Sequence, residues 1–274
     1  MSAFIQSLSV IVAILYFLLV YEYGHLFLTE DTRGESRAAR ILRVAVAIHL
    51  LLIGLRGISL GHLPFTTMSD TLGAVSIGLS LVYLFIELRL GIRTTGVFIL
   101  GLAFLFQAGS AGIMRAPGEL DPLFRSPLFG AHVVNALIGC AAIAVSAIYG
   151  MLYLLLRKNL KRQDFGRLYR KLPPLETLAL MNYYAAAFGF LFLTISIGVG
   201  AYWAADAIKT PWLQDPKTAV ALAMWALLGF VVGVKLIGQW RPRWNAWCAI
   251  IGFIMMVLSM VVINLLFSGY HTFN

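Results

Sequence analysis

Residues 126–156 read "SPLFGAHVVNALIGCAAIAVSAIYGMLYLLL" and contain no aspartate, glutamate, lysine or arginine. The basic segment "RKNLKRQDFGRLYRK" follows directly at 157–171. A transmembrane helix needs about 20 mostly apolar residues, and a basic flank is typical of its cytoplasmic end. The stretch therefore predicts a membrane-spanning helix over 128–157.

Seven further apolar runs are long enough to cross a bilayer, because each offers close to the required 20 residues. They are separated by short polar segments rich in charge, proline and glycine. We therefore expect an all-α, polytopic integral membrane protein of about eight transmembrane helices that form a single domain over residues 1–274. The expected spans are 4–27, 38–60, 70–88, 94–113, 128–157, 181–205, 218–238 and 245–269.

The composition supports a bilayer environment and excludes several classes of function. Hydrophobic residues make up 60% of the chain and charged residues only 12%, whereas soluble domains carry roughly 25% charged residues. The net charge of +9 comes from basic residues beside apolar runs, so membrane lipid is the expected surrounding and nucleic acid is not an expected partner. We find no nucleotide-binding glycine motif, no HExxH and no GxSxG, and the two cysteines form no CxxC.

The lysines and arginines orient the expected helices, because cytoplasmic loops carry an excess of both residues. Sixteen of them fall on one set of alternate loops and span ends, and five fall on the other. This predicts that both termini lie on the extracytoplasmic side, in a multi-pass protein of the bacterial inner membrane. The first span has no basic segment before it and no small-residue cleavage site after it, so we interpret it as a permanent helix.

Two histidines at the outer side are candidate metal ligands. His132 lies a few residues into the fifth span, and His271 lies just beyond the eighth. Two neutral imidazoles on opposite sides of a flat ligand are a common way to hold haem iron. The alternative is that both are interfacial side chains that reach toward water.

His49 lies near the middle of the second span, and Arg56 follows two helical turns later on the same face. An ionisable residue at bilayer depth is costly and is a functional candidate by default. Arg56 is a candidate partner for a propionate or a quinone headgroup. The alternative for His49 is a neutral imidazole that is hydrogen-bonded to a neighbouring helix.

The outer segment between the sixth and seventh spans is aromatic and polar, with Trp212 and Asp215 three residues apart. Trp203 and Trp225, at its two ends, are interpreted as an aromatic belt at the outer boundary. Trp212 lies inside the polar segment itself, so a belt does not account for it. We therefore take Trp212 and Asp215 as candidate ligand-binding residues.

Four segments resemble one family, in the same order along the chain. They are "GHLPFTTMSDTLG", the histidine-bearing span that starts at "SPLFGAH", the segment "LPPLETLALMNYYAAAFGFLFLTISIGVGAYWA", and the closing "INLLFSGYHTFN". Together they are similar to the CcsA/ResC/HemX-like cytochrome c assembly proteins over residues 45–274.

The resemblance implies that the protein handles haem at the outer face. In that family two outer histidines hold the haem iron, and a tryptophan-rich loop binds the porphyrin. By position these are His132, His271 and the loop "IKTPWLQDPKT", which keeps Trp212 and Asp215. The expected cofactor is non-covalent haem b. The expected partners are a CcsB/ResB-like assembly protein and apocytochrome c.

The loop also departs from the family's pattern. Ile208 and Gln214 stand where tryptophans belong, and Lys235 lies where full assembly enzymes place a histidine in the seventh span. The leading hypothesis is a haem-binding protein of cytochrome c maturation, which would position haem and supply no nucleophile of its own. One alternative is a HemX-like accessory or regulatory protein without attachment activity, and another is a membrane subunit of an electron-transfer complex.

Overall fold

The computed structural model describes residues 2–29, 33–65, 67–114, 125–163, 165–207 and 216–260. Over these residues the chain is α-helical. The helices are α1 (Ser2–Leu28), α2 (Arg33–Leu60), α3 (Met68–Leu90), α4 (Gly96–Ile113), α5 (Pro127–Lys161), α6 (Arg167–Lys171), α7 (Leu175–Ala207), α8 (Pro216–Leu236) and α9 (Pro242–Leu258).

Seven of these helices, namely α1 to α5, α7 and α8, are long and apolar enough to cross a membrane. They overlap the first seven expected spans, so the all-α, polytopic membrane architecture is confirmed. The helix that matches the sixth expected span, α7, begins earlier than expected, at Leu175, directly after Pro173 and Pro174. The eighth expected span, 245–269, is described only in part, since α9 covers Pro242–Leu258 and 261–274 lie outside the described residues. The orientation of the termini stays a prediction.

The chain divides into two compact units. The first unit consists of Met1–Glu119 and Lys171–Pro173, and the second unit consists of Leu120–Arg170 and Pro174–Asn274. The first contains α1 to α4 and the second contains α5, α7, α8 and α9. The expectation of one domain over 1–274 stays a prediction.

In the first unit, α4 packs against both α1 and α3, and α2 packs against α1 and α3. Small residues permit this close packing. At Gly96, an added Cβ would lie 2.4 Å from the Tyr83 hydroxyl and 2.6 Å from the Tyr23 ring. The Ser76 hydroxyl donates to the Ala103 carbonyl at 2.8 Å and thereby joins α3 to α4.

In the second unit, α5 packs against α7 and α9. Ser146 and Asn182 join α5 to α7 in both directions: the Ser146 hydroxyl donates to the Asn182 carbonyl at 2.9 Å, and Asn182 Nδ2 donates to the Ser146 carbonyl at 2.6 Å. Gly150 allows α9 to approach, since a Cβ there would lie 3.0 Å from the Ala246 carbonyl oxygen. The outward faces keep large apolar side chains such as Phe188, which is 58% exposed, as lipid-facing helices do.

Candidate functional site

His132 lies in the first two turns of α5. The helix begins with Ser126, whose hydroxyl oxygen accepts a hydrogen bond from the Phe129 backbone N–H at 3.1 Å, and with Pro127 in its first turn. A serine cap followed by proline strongly predicts the start of a helix. The serine oxygen accepts from a first-turn N–H that has no partner within the helix, and proline has no N–H to leave unpaired. This start places the His132 side chain against α7.

Ser196 on α7 holds the imidazole of His132. The Nδ1 atom lies 2.8 Å from the Ser196 carbonyl oxygen, and the Ser196 hydroxyl donates to the His132 carbonyl at 3.0 Å. A carbonyl oxygen only accepts hydrogen bonds, so Nδ1 carries the proton and Nε2 carries the lone pair. Metal-ligating histidines are usually oriented in this way, with the non-ligating nitrogen bonded to a backbone carbonyl or carboxylate.

Gly200 provides the space that the imidazole occupies. A Cβ at Gly200 would lie 2.4 Å from His132 Nδ1 and 2.7 Å from Cε1, which no real side chain tolerates. The ring therefore lies directly on the backbone of α7. Ser196 and Gly200 were both missed as functional residues. Their four-residue spacing is the small-xxx-small pattern of close helix contacts, and this pattern would have indicated them.

Trp203 lies inside the second unit, one helical turn beyond Gly200. It is 5% exposed, and its ring centroid lies 5.2 Å from that of Phe129. The interpretation of Trp203 as a belt residue at the membrane boundary is therefore wrong, because packing between α5 and α7 buries it. Trp225 is 36% exposed, stacks on Phe190 and donates from Nε1 to the Thr194 hydroxyl at 2.8 Å.

The remaining members of the expected haem site, His271, Trp212 and Asp215, lie outside the described residues. Their association with His132 stays a prediction. Within the described part of the chain, no three His, Cys, Asp or Glu side chains form a group that could hold a metal ion. Haem iron needs only two side-chain ligands from the protein, so a group of three is not required for the expected pair of histidines.

His49 lies in the first unit and is fully buried. Its Nδ1 atom is 2.9 Å from the Tyr16 hydroxyl of α1, which agrees with the alternative of an imidazole bonded to a neighbouring helix. The other ring nitrogen, Nε2, is buried and has no hydrogen-bond partner among the residues that the structure describes.

Arg56 forms a buried ion pair with Asp70 at the start of α3. The Thr67 hydroxyl donates to the other Asp70 carboxylate oxygen at 2.7 Å and so completes the arrangement. The sequence analysis did not predict Asp70 as the partner of Arg56. An acidic residue in the first turn of the next helix could have indicated this ion pair. Arg56 Nη2 is buried and, within the described part of the chain, has no hydrogen-bond partner.

Lys235 at the end of α8 is held by aromatic rings of the second unit. Its Nζ lies 3.8 Å from the ring centroid of Tyr183 and 4.2 Å from that of Trp240. A cation over aromatic faces gains electrostatic stabilisation from their electron-rich surfaces. The position where the resemblance expects a histidine therefore carries a cation that takes part in packing.

Comparisons with known proteins identify the relatives of this chain. The family model described as Cytochrome C assembly protein matches residues 13–271. Among curated relatives, the cytochrome c biogenesis protein CcsA of Guillardia theta is 25% identical, over 82% of this chain and 81% of its own length. The CcsA proteins of Synechococcus sp. (strain RCC307) and Trieres chinensis are 26% and 24% identical, over 89% and 98% of this chain and 87% and 97% of their own lengths.

Proposed function

The chain belongs to the Cytochrome C assembly protein family, and on that premise we propose that it holds haem at the extracytoplasmic face of the membrane for delivery to apocytochrome c. The observation that carries the proposal is the geometry of His132. The hydrogen bond from Nδ1 to the Ser196 carbonyl holds the ring in one tautomer, with the lone pair on Nε2. The haem is the cargo, and the chain provides ligands and orientation.

His132 and His271 are the proposed axial ligands of the haem iron, and Trp212 the proposed surface for the porphyrin. Asp215, three residues after Trp212, is proposed as a further haem-binding residue of the same segment. Neutral imidazole is a suitable ligand for haem iron, so the donor set fits the group. The bare backbone at Gly200 lets the His132 ring lie close to α7, which limits its rotation.

Arg56 is the proposed partner for a quinone headgroup within the first unit. Its Nε atom is committed to Asp70, whereas Nη2 has a hydrogen to donate. His49 is not among the proposed ligands of the haem iron. One ring nitrogen is bonded to Tyr16, and the other is buried and has no hydrogen-bond partner among the described residues.

In haem delivery, the chain's own chemistry is positioning. Attachment to a cytochrome joins haem to cysteines of the partner, so the protein that presents the haem needs no nucleophile. Holding the two reactants in a fixed relation is itself a large contribution to rate. We place the protein in the inner membrane of a bacterium, beside a CcsB/ResB-like assembly protein.

A second candidate function is that of an accessory protein that binds or senses haem without attaching it. The loop "IKTPWLQDPKT" keeps one tryptophan, and Lys235 replaces the expected histidine of the seventh span. This candidate is supported by the position of Lys235, whose Nζ lies over the rings of Tyr183 and Trp240.

The test is a visible spectrum of the purified protein in detergent, oxidised and reduced, with and without added haem. We expect low-spin bis-histidine bands in the wild type that are lost in His132→Ala and in His271→Ala. His62→Ala is the matched control, because His62 is another histidine expected at the outer side, and its Nδ1 lies 2.9 Å from the carbonyl oxygen of the next residue, Leu63. A wild type that stays colourless after haem is supplied would overturn the proposal, as would bands that survive in both ligand variants.

A further inference from the structure

The turn between α8 and α9 carries three basic residues, namely Lys235, Arg241 and Arg243. Gly238 makes this turn tight, because its φ of +73° is a conformation that glycine adopts readily. The Gln239 N–H donates to the Val234 carbonyl at 3.0 Å, and the Gly238 N–H donates to the Lys235 carbonyl at 3.1 Å. This pair of bonds closes the end of α8, and α9 begins shortly afterwards at Pro242. The three cations therefore belong to one short segment, residues 235–243, which we call the basic turn.

The positive charge of the basic turn has no acidic partner among the described residues. The sequence contains no aspartate or glutamate from 216 to 274. On the neighbouring helix α7, Glu176 lies two turns before Tyr183, whose ring contacts Lys235. The ion pairs within the described part of the chain involve other arginines, namely Arg37, Arg56 and Arg93. Arg241 and Arg243 are exposed, so their guanidinium groups are available to a ligand from outside the chain.

The basic turn lies at the depth of the lipid headgroups. α8 has 21 residues, which corresponds to about 31 Å and matches a hydrocarbon core of about 30 Å, so Lys235 near its end lies at the boundary. α5 meets α9 where Gly150 contacts Ala246. From that level α5 continues for roughly 16 Å to Lys161, whereas α9 extends back for only roughly 6 Å to Pro242. The last turns of α5 therefore project farther from the hydrocarbon than the basic turn does.

Apolar and aromatic side chains surround the cations. Leu236 and Ile237 are 78% and 69% exposed, and the indoles of Trp244 and Trp247 are exposed as well. Tryptophan is enriched at the boundary between membrane and water, where its amphipathic ring lies at headgroup level. Exposed aliphatic side chains, indoles and arginines in one segment match the acyl chains, the interface and the phosphates of a lipid. A surface for a soluble acidic protein does not require the aliphatic part of this set.

We propose that the basic turn binds the phosphate group of an anionic phospholipid. Arg241 and Arg243 donate to the phosphate oxygens, because guanidinium groups bind phosphate through charge-assisted hydrogen bonds. The start of α9 adds to the attraction: its N-cap, Arg241, makes no side-chain capping bond, and the N-terminal end of a helix carries partial positive charge. Lys235, held over the rings of Tyr183 and Trp240, contributes its charge from the hydrocarbon boundary.

The experiment counts lipids on the full-length protein by native mass spectrometry. The protein is purified in detergent and titrated with phosphatidylglycerol or with phosphatidylcholine of the same acyl chains. We expect the wild type to bind its first phosphatidylglycerol about tenfold or more tightly than its first phosphatidylcholine, because the net charge of the headgroup decides the attraction. The double variant Arg241→Gln with Arg243→Gln should weaken the binding of phosphatidylglycerol by about tenfold or more.

Arg40→Gln with Arg43→Gln is the matched control. It removes two exposed arginines from α2 and changes the net charge of the protein by the same amount. Their Nε atoms donate to carbonyls of their own helix, those of Ser36 at 3.3 Å and Ala39 at 3.1 Å. We expect this variant to change the affinity for the first phosphatidylglycerol by less than about twofold. The visible haem spectrum should be that of the wild type in both double variants, because the lipid site shares no residue with the proposed haem site.

A second measurement reports on the basic turn itself. The protein is labelled with 5-fluorotryptophan and reconstituted in phosphatidylcholine nanodiscs, and the ¹⁹F signal of Trp244 is assigned by its loss in Trp244→Phe. Phosphatidylglycerol added at a low mole fraction should shift this signal and saturate the shift. The shift should be lost when Arg241 and Arg243 are both replaced by glutamine.

Three results would overturn the proposal. One is an equal loss of phosphatidylglycerol affinity in the two double variants, which would mean that only the total charge matters. Another is a Trp244 signal that does not respond to phosphatidylglycerol in the wild type. The third is a soluble acidic peptide, polyglutamate, that binds the wild type in phosphatidylcholine nanodiscs more tightly than phosphatidylglycerol does and needs the same two arginines, since the surface would then be one for an acidic protein.

Discussion

The imidazole of His132 lies on the bare backbone of Gly200, and its Nδ1 atom is 2.8 Å from the carbonyl oxygen of Ser196 one turn away. The contact joins the first two turns of α5 to α7. It determines the position of the ring and the nitrogen that carries the proton, the two properties that decide whether a histidine is available as a ligand.

Gly200→Ala should displace His132. The added Cβ would overlap the imidazole at 2.4 Å, and overpacking of this kind costs about 1–3 kcal/mol. We expect the low-spin haem bands to weaken strongly or to vanish in visible spectra. Gly198→Ala is the matched control, because it lies on the same helix and its Cβ would meet no described residue within 4 Å. An unchanged spectrum in Gly200→Ala would show that the contact does not position the ligand.

Asp70→Asn should destabilise the protein strongly. The substitution leaves the buried Arg56 guanidinium without its anion, and removal of one member of a buried pair costs about 3–5 kcal/mol. Thermal unfolding in detergent would measure the loss. The double variant Arg56→Met with Asp70→Leu should recover much of it, since no uncompensated charge remains.

The ion pair between Arg37 and Glu22 provides the comparison for this buried pair. Its arginine side chain is 57% exposed, so Glu22→Gln should cost at most about 1 kcal/mol. If Asp70→Asn and Glu22→Gln lost equal stability in thermal unfolding, burial would not be what makes the pair between Arg56 and Asp70 important for stability.

Gly96→Ala should loosen the contact between α3 and α4. A Cβ there would overlap the rings of Tyr83 and Tyr23, so we expect a loss of about 1–3 kcal/mol despite the better helix propensity of alanine. Gly101→Ala changes the same helix at a position where the new Cβ has no atom of the described chain within 4 Å, and it should be neutral or stabilising. Unfolding curves of the two variants in one detergent decide the matter, and a stable Gly96→Ala would refute the close approach.

Lys235→Met should destabilise the second unit by about 0.5–2 kcal/mol, because the cation over Tyr183 and Trp240 is lost while the apolar stem is kept. Lys235→Arg keeps the charge and should remain close to the wild type. The measurement is again thermal unfolding, with Lys217→Met as a control for the general effect of removing one lysine. Equal behaviour of Lys235→Met and Lys235→Arg would show that charge over the rings is not what matters.

The sequence by itself determined the class of the fold and the family. In a bilayer the backbone must satisfy its own hydrogen bonds, so length and apolarity of a run are enough to predict a helix. This is why seven of the expected spans match helices in type and approximate bounds, and why the order of the motifs was enough to indicate the cytochrome c assembly proteins. His132 was recognisable because it stands near the start of an otherwise apolar run.

Only the tertiary structure decided which side chains meet. The bond between His132 and Ser196 joins residues 64 positions apart, and that between Gln107 and Ser9 joins residues 98 apart. Such contacts depend on how each helix is rotated about its axis and on where a glycine removes a side chain. The sequence of one apolar helix does not specify its rotation. Many rotations bury a similar apolar area, and they differ mainly in which polar atoms find hydrogen-bond partners on the neighbouring helices.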